Sequence, residues 1–155
     1  MDIPLDFSPV RFASADLPAR DRLSAWRDYY GPSVHGADVV PAPNVPFHAD
    51  VSLRALPSIG LTTTQSSPAR YARTRRFLAD GRDYLGLHLS FSGSACGQRG
   101  REIACNPRAA VLMNVAEAGW IVSPRSMQFR GLWVHRAKLA PRVAGLDDKV
   151  LKPIA

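Results

Sequence analysis

From Phe47 to His135 the chain repeats with a period of two, broken every few residues by turn signals, and that pattern commits most of it to short β-strands. Val51, Leu53 and Ala55 alternate with Ser52, Arg54 and Leu56. Past Pro57-Ser58, Ile59, Leu61 and Thr63 alternate with Gly60, Thr62 and Thr64, so the two runs predict a hairpin. Asp80-Gly81 is a turn signal that leads into Tyr84–Phe91, the cleanest strand of all. There Leu85, Leu87, Leu89 and Phe91 share one face, and Tyr84, Gly86, His88 and Ser90 share the other. Further strands are expected near 94–99, 101–105, 109–115, 119–123 and 128–135. Gly100-Arg101 suits a two-residue type II′ turn, a register that sets Cys96 opposite Cys105.

Helical signals lie outside this block. Residues 1–15 read as an extended lead. The segment Asp16–Gly31 predicts one helix, with Asp16 accepting from the free N–H groups at its start and Pro18 in its first turn. Leu23, Trp26 and Tyr30 form its apolar stripe, and Gly31-Pro32 stops it. Residues 32–46 hold Pro32, Pro41, Pro43 and Pro46 and read as an irregular, rigid connector. Lys138–Gly145 predicts one or two helical turns ended by Gly145. A helix on many short strands, with no internal repeat or second composition zone, predicts one mainly β domain of the sandwich or jelly-roll class.

Composition narrows the setting. No apolar run approaches the ~20 residues of a membrane span, and the N-terminus lacks the basic start and apolar stretch of a secretory signal. The expected location is the cytoplasm, where Cys96 and Cys105 read as small, partly buried residues kept reduced, with a redox pair as the weaker alternative. The net charge of +7 is nearly all arginine. Its densest run, Arg70, Arg73, Arg75 and Arg76 around Tyr71, lacks the further aromatics that a nucleic-acid-tracking strip needs, so a solvated loop or edge strand is expected.

The chemistry of catalysis finds little here. His35, His48, His88 and His135 stand singly, without the spacing of metal ligands. Gly93, Gly97 and Gly100 fall among short strands, where glycine serves turns and bulges, and no G-x-S-x-G elbow is present. The acids Asp80, Asp83, Asp147 and Asp148 cluster in turns. The expectation is a non-enzyme without metal or cofactor. What remains is an aromatic and polar set suited to a small-molecule cavity: Tyr84 and His88 on one strand face, Phe129 and Trp133 sharing a face with Gly131 between them, and Trp120 on a short strand. Core packing is the competing reading for the tryptophans, and a solvent-facing or core-satisfied role for His88.

In order along the chain come Asp16-Leu17-Pro18, Arg22 and Trp26-Arg27, then Phe47-His48-Ala49, Arg73-Thr74, Asp83–Leu89, Ser92-Gly93, Gly100-Arg101 and Val134–Arg142. This series resembles the cupin-like N-terminal domain of AraC/XylS-type transcription regulators, over about Asp16 to Gly145. The resemblance implies a cupin-like jelly-roll (double-stranded β-helix) barrel with a leading N-terminal α-helix and a short C-terminal helix. It implies a bacterial domain that senses an unknown small-molecule effector or mediates dimerisation, controlling a C-terminal helix-turn-helix domain that binds DNA. Residues 16–145 would be that sensor domain and 146–155 the start of a linker, the DNA-binding half being absent and the chain truncated. Asn106-Pro107-Arg108 departs from the Pro-Gly-Asp type turn usual in the family. A homodimer is implied only for the full-length protein. An interaction or dimerisation module with a filled barrel, or a cupin-fold enzyme, stay open as alternatives.

Overall fold

A computed structural model describes residues 9–31 and 36–154. The lead before residue 9, the segment 32–35 with Pro32 and His35, and the terminal Ala155 lie outside the described residues. Twelve strands are described, beginning with β1 (Val10–Ala13), β2 (Asp38–Pro41), β3 (Ala49–Leu56), β4 (Ile59–Ser66), β5 (Ala69–Arg73) and β6 (Tyr84–Ser90). They continue as β7 (Ser94–Gln98), β8 (Arg101–Cys105), β9 (Ala110–Asn114), β10 (Gly119–Ser123), β11 (Met127–His135) and β12 (Pro153–Ile154). The helices are α1 (Arg22–Tyr30), α2 (Arg75–Leu78) and α3 (Arg136–Leu139).

Two antiparallel sheets face one another: a seven-stranded one in the order β1-β3-β4-β11-β6-β9-β12 and a five-stranded one in the order β2-β5-β10-β7-β8. This is a jelly-roll sandwich, the class that the strand pattern predicts. The expected hairpin is present, with Leu56 opposite Ile59 across Pro57-Ser58. Asn106-Pro107-Arg108 also turns the chain, the Ala109 N–H donating to the Asn106 carbonyl at 3.0 Å, and β9 follows.

Several boundaries differ from expectation. The lead contributes β1, paired to β3. Asp16 belongs to a 3-10 turn, Ser14–Asp16, and caps nothing; the helix begins at Arg22 and its N-cap, Asp21, makes no side-chain cap bond. Ser14 instead accepts from the buried Ala49 N–H at 2.7 Å, fastening the lead to the sheet. Within the connector, β2 pairs with β5. Arg70 and Arg73 of the arginine run lie in β5, an interior strand between β2 and β10, while Arg75 and Arg76 are exposed on α2. The turn after β7 is Arg99-Gly100, both at positive φ (56° and 70°), the pattern of a type I′ turn. Cys96 therefore pairs with Ile103 and Cys105 with Ser94. The two thiols remain on one face and touch diagonally, with Sγ to Sγ at 3.5 Å.

Helix α1 plugs one flank of the sandwich. Trp26 and Tyr30, two of its three expected stripe residues, are buried, and Leu23 is half-buried. The Trp26 ring lies 5.3 Å from Phe12 and 4.9 Å from Tyr30, and Tyr30 lies 5.0 Å from Tyr71 on β5. Arg27 also donates twice to the Val39 carbonyl, at 3.0 and 2.9 Å, tying the helix to β2.

At the other end, residues 146–154, read above as the start of a linker, are packed onto the seven-stranded sheet. Leu146, Val150 and Leu151 are buried with Leu85 and Leu112, and the Leu151 N–H donates to the Leu112 carbonyl at 2.8 Å. The leucine face of β6 is thus the outer face, and Tyr84, Gly86, His88 and Ser90 face the space between the sheets. Among the described residues no helix is long and apolar enough to cross a membrane.

Candidate functional site

Strand parity decides what enters the space between the sheets. On β11 the inward residues are Met127, Phe129, Gly131 and Trp133, opposite Ser90, His88 and Gly86 of β6 on one side and Ser66, Thr64, Thr62 and Gly60 of β4 on the other. Two glycines, Gly86 and Gly131, let the Trp133 indole lie along the sheet, and Gly60 lies in ordinary contact with it. A Cβ on Gly86 would sit 2.3 Å from the ring, one on Gly131 would sit 2.8 Å from Nε1, and one on Gly60 would meet the side chain at 3.6 Å. Trp133 Nε1 donates to Thr62 Oγ1 at 3.1 Å, which satisfies the polar edge of an otherwise apolar wall.

His88 stands between the rings, 4.8 Å from Trp133 in an edge-on contact and 5.7 Å from Phe129. Burial among them disfavours the imidazolium and lowers the His88 pKa to about 4. At neutral pH the ring is uncharged, one nitrogen a donor and the other an acceptor.

Around this histidine the interior opens into two spaces. The larger, about 70 Å³, is walled by Tyr30, Tyr71, His88, Met113, Ile121 and Trp133, with Arg73, Gln98, Asn114 and Glu117 toward its mouth. The smaller, about 10 Å³, is of the order of one water site and lies among His88, Ser90, Cys96, Cys105 and Phe129. The polar groups at the mouth are spoken for. Gln98 Nε2 donates to the Asn114 carbonyl at 2.7 Å and its Oε1 accepts from the Asn114 N–H at 2.9 Å, a reciprocal bond joining the two sheets. Arg73 donates to the carbonyls of Val115, Gly36 (3.1 Å) and Phe77 (3.2 Å) and to the Asp80 carboxylate at 2.8 Å. Burial pushes the Asp80 carboxyl upward, but the bonds from Arg73 and Arg82 outweigh it and hold Asp80 below its ordinary range. Desolvation raises the phenols instead, Tyr71 to about 12 even though it donates to Ser66 at 3.1 Å, and Tyr30 well above its usual value. The cavity is therefore aromatic and polar without an uncompensated charge.

Of the five residues proposed from sequence, the structure brings His88, Phe129 and Trp133 together. Tyr84 faces inward at the sheet end, its ring 4.0 Å from His135, and lines neither space. Trp120 borders the larger space, but its indole points outward: it pairs with Ala72 and Gly97 on the outer face, while its neighbour Ile121 takes the inward position, and Arg70 lies over its indole at 5.3 Å. Tyr30, Tyr71, Arg73, Gln98 and Asn114 were missed. The alternation of Ala69, Tyr71 and Arg73 carried a signal that the density of arginine concealed; for Gln98 the sequence holds none. Among the described residues no group of three or more His, Cys, Asp or Glu side chains is placed to share a metal ion.

No protein-family model matches the chain, and no curated protein matches it. Solved structures do. The AraC-like transcriptional activator CuxR superposes with a TM-score of 0.78 at 18% identity, over 96% of this chain and 55% of that one. This chain shares its fold with part of that activator. The chain spans about half the length of this AraC-like neighbour, covering 55% of it. Two further neighbours are more distant: the EutQ protein of Clostridium difficile, with a TM-score of 0.47 at 10% identity over 63% of this chain and 76% of that one, and a cupin-2 domain of Rhodospirillum rubrum, with a TM-score of 0.44 at 14% identity over 74% and 90%. The AraC-like neighbour thus matches the leading helix and the barrel together.

Proposed function

We propose that the chain is the effector-sensing domain of an AraC-type transcription regulator acting in the cytoplasm, and that it holds a small, uncharged, partly aromatic molecule between the sheets. The observation that carries this reading is the space beside His88, walled by Tyr30, Tyr71 and Trp133 within a fold shared with an AraC-like activator. A neutral ligand fits because His88 is held neutral by burial and Arg73 is already paired with Asp80. An anion would have to strip Arg73 from its carbonyls, and a cation would meet no unpaired carboxylate in the wall. At about 70 Å³ of free space, the effector is small or enters with a shift of the surrounding rings. The same neutrality favours a sensor over an enzyme, since general acid–base catalysis needs a group that titrates near working pH. In the full-length regulator, occupancy would bias a helix-turn-helix domain that contacts DNA, and a homodimer would present two such domains.

The test is a thermal-shift screen of the chain against neutral small metabolites and phenols. A binder raises Tm by mass action, and His88→Gln removes that shift while the variant still unfolds cooperatively. Silence across a chemically broad library, or a binder insensitive to His88→Gln, would instead favour a filled barrel that serves association.

A further inference from the structure

Cys96 and Cys105 are the only cysteines of the chain, and the fold brings both to one inward place. Strands β7 and β8 set them diagonally, Sγ to Sγ at 3.5 Å, each at most 3% exposed. Both border the smaller space, together with His88, Ser90, Ser94 and Phe129. Thiols so enclosed usually serve as small apolar filling, which explains neither their contact nor the polar space beside it.

Geometry separates what two such sulfurs can hold. Diagonal neighbours in an antiparallel pair stand roughly 7–8 Å apart, beyond the backbone span that a disulfide tolerates without movement. A bridging atom needs no such approach: two bonds to sulfur of about 2.3 Å span 3.5 Å when they meet at roughly 100°. A two-coordinate, linear ion such as Cu(I) would force the sulfurs apart to about 4.6 Å on the same bond length. Zinc takes four ligands, and among the described residues no third His, Cys, Asp or Glu joins the pair. Trivalent arsenic is pyramidal, bonds two thiols at close to that angle and brings its own third ligand.

We propose that Cys96 and Cys105 form a capture site for a neutral trivalent metalloid, arsenous acid being the simplest. Both thiols condense with it: two As–O bonds break, two As–S bonds form, and each thiol proton leaves with a hydroxyl as water. The arsenic keeps one hydroxyl, and a space of about 10 Å³, of the order of one water site, lies against the pair to receive it among His88, Ser90 and Ser94. No oxidant or reductant is consumed. Neither reactant nor product carries a charge, as so buried a site requires. The thiols divide the work. The bond from Cys96 draws Cys105 down to about 7 against the upward push of burial, which makes it the first nucleophile. The bond to Cys105, with burial, holds the Cys96 proton in place for the second water. The site does not depend on the effector reading, since the ring-lined space shares only His88 and Ile121 with it.

Arsenite added to the reduced whole chain is the probe, read by arsenic retained after desalting, by free thiols and by Tm. One arsenic per chain is expected, with both thiols lost and with two sulfurs and one oxygen around the arsenic by X-ray absorption. Tm should rise, because the folded chain presents the pair ready-made and the unfolded chain does not. Cys96→Ser and Cys105→Ala should each weaken retention by about a hundredfold, since the second, intramolecular bond is lost. The wild-type Tm keeps the test decisive even where a variant folds poorly. The proposal is overturned if no arsenic is retained, if Tm falls on binding, or if either variant holds arsenic like the wild type. Three sulfurs around the arsenic, which would mean that two chains share it, would overturn it too. So would a Cys96–Cys105 disulfide in the chain as isolated, because the strands would then hold the sulfurs at bonding distance.

Discussion

His88 is where burial and charge are most directly opposed. Its ring is enclosed by Phe129 and Trp133 on one side and by the two cysteines on the other, while the charged residues of the larger space, Arg73 and Glu117, are each bonded to a partner of opposite charge. Folded, the imidazole titrates at about 4; in the unfolded chain it titrates at about 6.5. Between these values the unfolded state binds the extra proton, so stability rises with pH across that window. The contribution is fully present above about 6.5 and is lost as pH falls toward 4, amounting to about 3 kcal/mol. Urea unfolding at neutral pH and near pH 4.5, for the wild type and for His88→Gln, measures it. The wild type should lose more stability than the variant on acidification. Equal losses would mean that the imidazole is solvated when folded, which would also remove the reason for a neutral cavity.

Arg73 shows how an element can hide in a sequence. It ends β5, yet its guanidinium reaches the carbonyl of Gly36 before β2, that of Val115 after β9, and Phe77 and Asp80 around α2. One side chain thus anchors three connections that have no regular ladder of their own. Replacing it by Met keeps the stem and removes every donor, so the carbonyls of Gly36 and Val115 lose the guanidinium and Asp80 keeps only Arg82. The expected cost is about 3 kcal/mol, read as a lower denaturation midpoint, with Lys recovering only part because it cannot fork. Such a residue was not legible from composition. Arginine at that density reads as solvent-facing, so β5 read as a loop or edge strand and not an interior one, and the prolines of the connector read as breaking structure, so β2 was missed. The strands carrying plain apolar alternation, β3, β4, β6 and β11, were legible because parity alone writes them. The β7–β8 hairpin fell between: both of its strands were evident, but two glycine-compatible turns competed. Choosing Gly100-Arg101 over Arg99-Gly100 shifted the partners by two residues while preserving every face.

Across the whole molecule, β6 and β9 act as a shared wall. His88 and Val111 pair on the inner side, against the cavities, and Leu87 and Leu112 pair on the outer side, where the segment from Leu139 through Leu151 is packed. The sequence suggested that the leucine face of β6 and its His88 face were chemically distinct, but a strand apolar on one side gives no means of telling which side another segment will cover. That covering is what could make the domain a sensor. An effector can shift an equilibrium only as far as its affinity differs between two arrangements, and here the cavity and the C-terminal segment lean on the same two strands from opposite sides. Displacing Trp133 or His88 to admit a ligand would move Leu87 and Leu112 with the strand backbone, because packed interiors transmit strain, and so would alter the seat of Val150 and Leu151. Hydrogen exchange with and without a barrel ligand from the thermal-shift screen is the measurement. Amide protection should change across residues 139–151 as well as at β6 and β11, whereas β3, beyond β4 in the sheet, should stay constant. By linkage, Val150→Ala, which loosens that seat, should change effector affinity although it never touches the cavity. If protection changes stop at the cavity walls and Val150→Ala binds like the wild type, the barrel stores the ligand without reporting it.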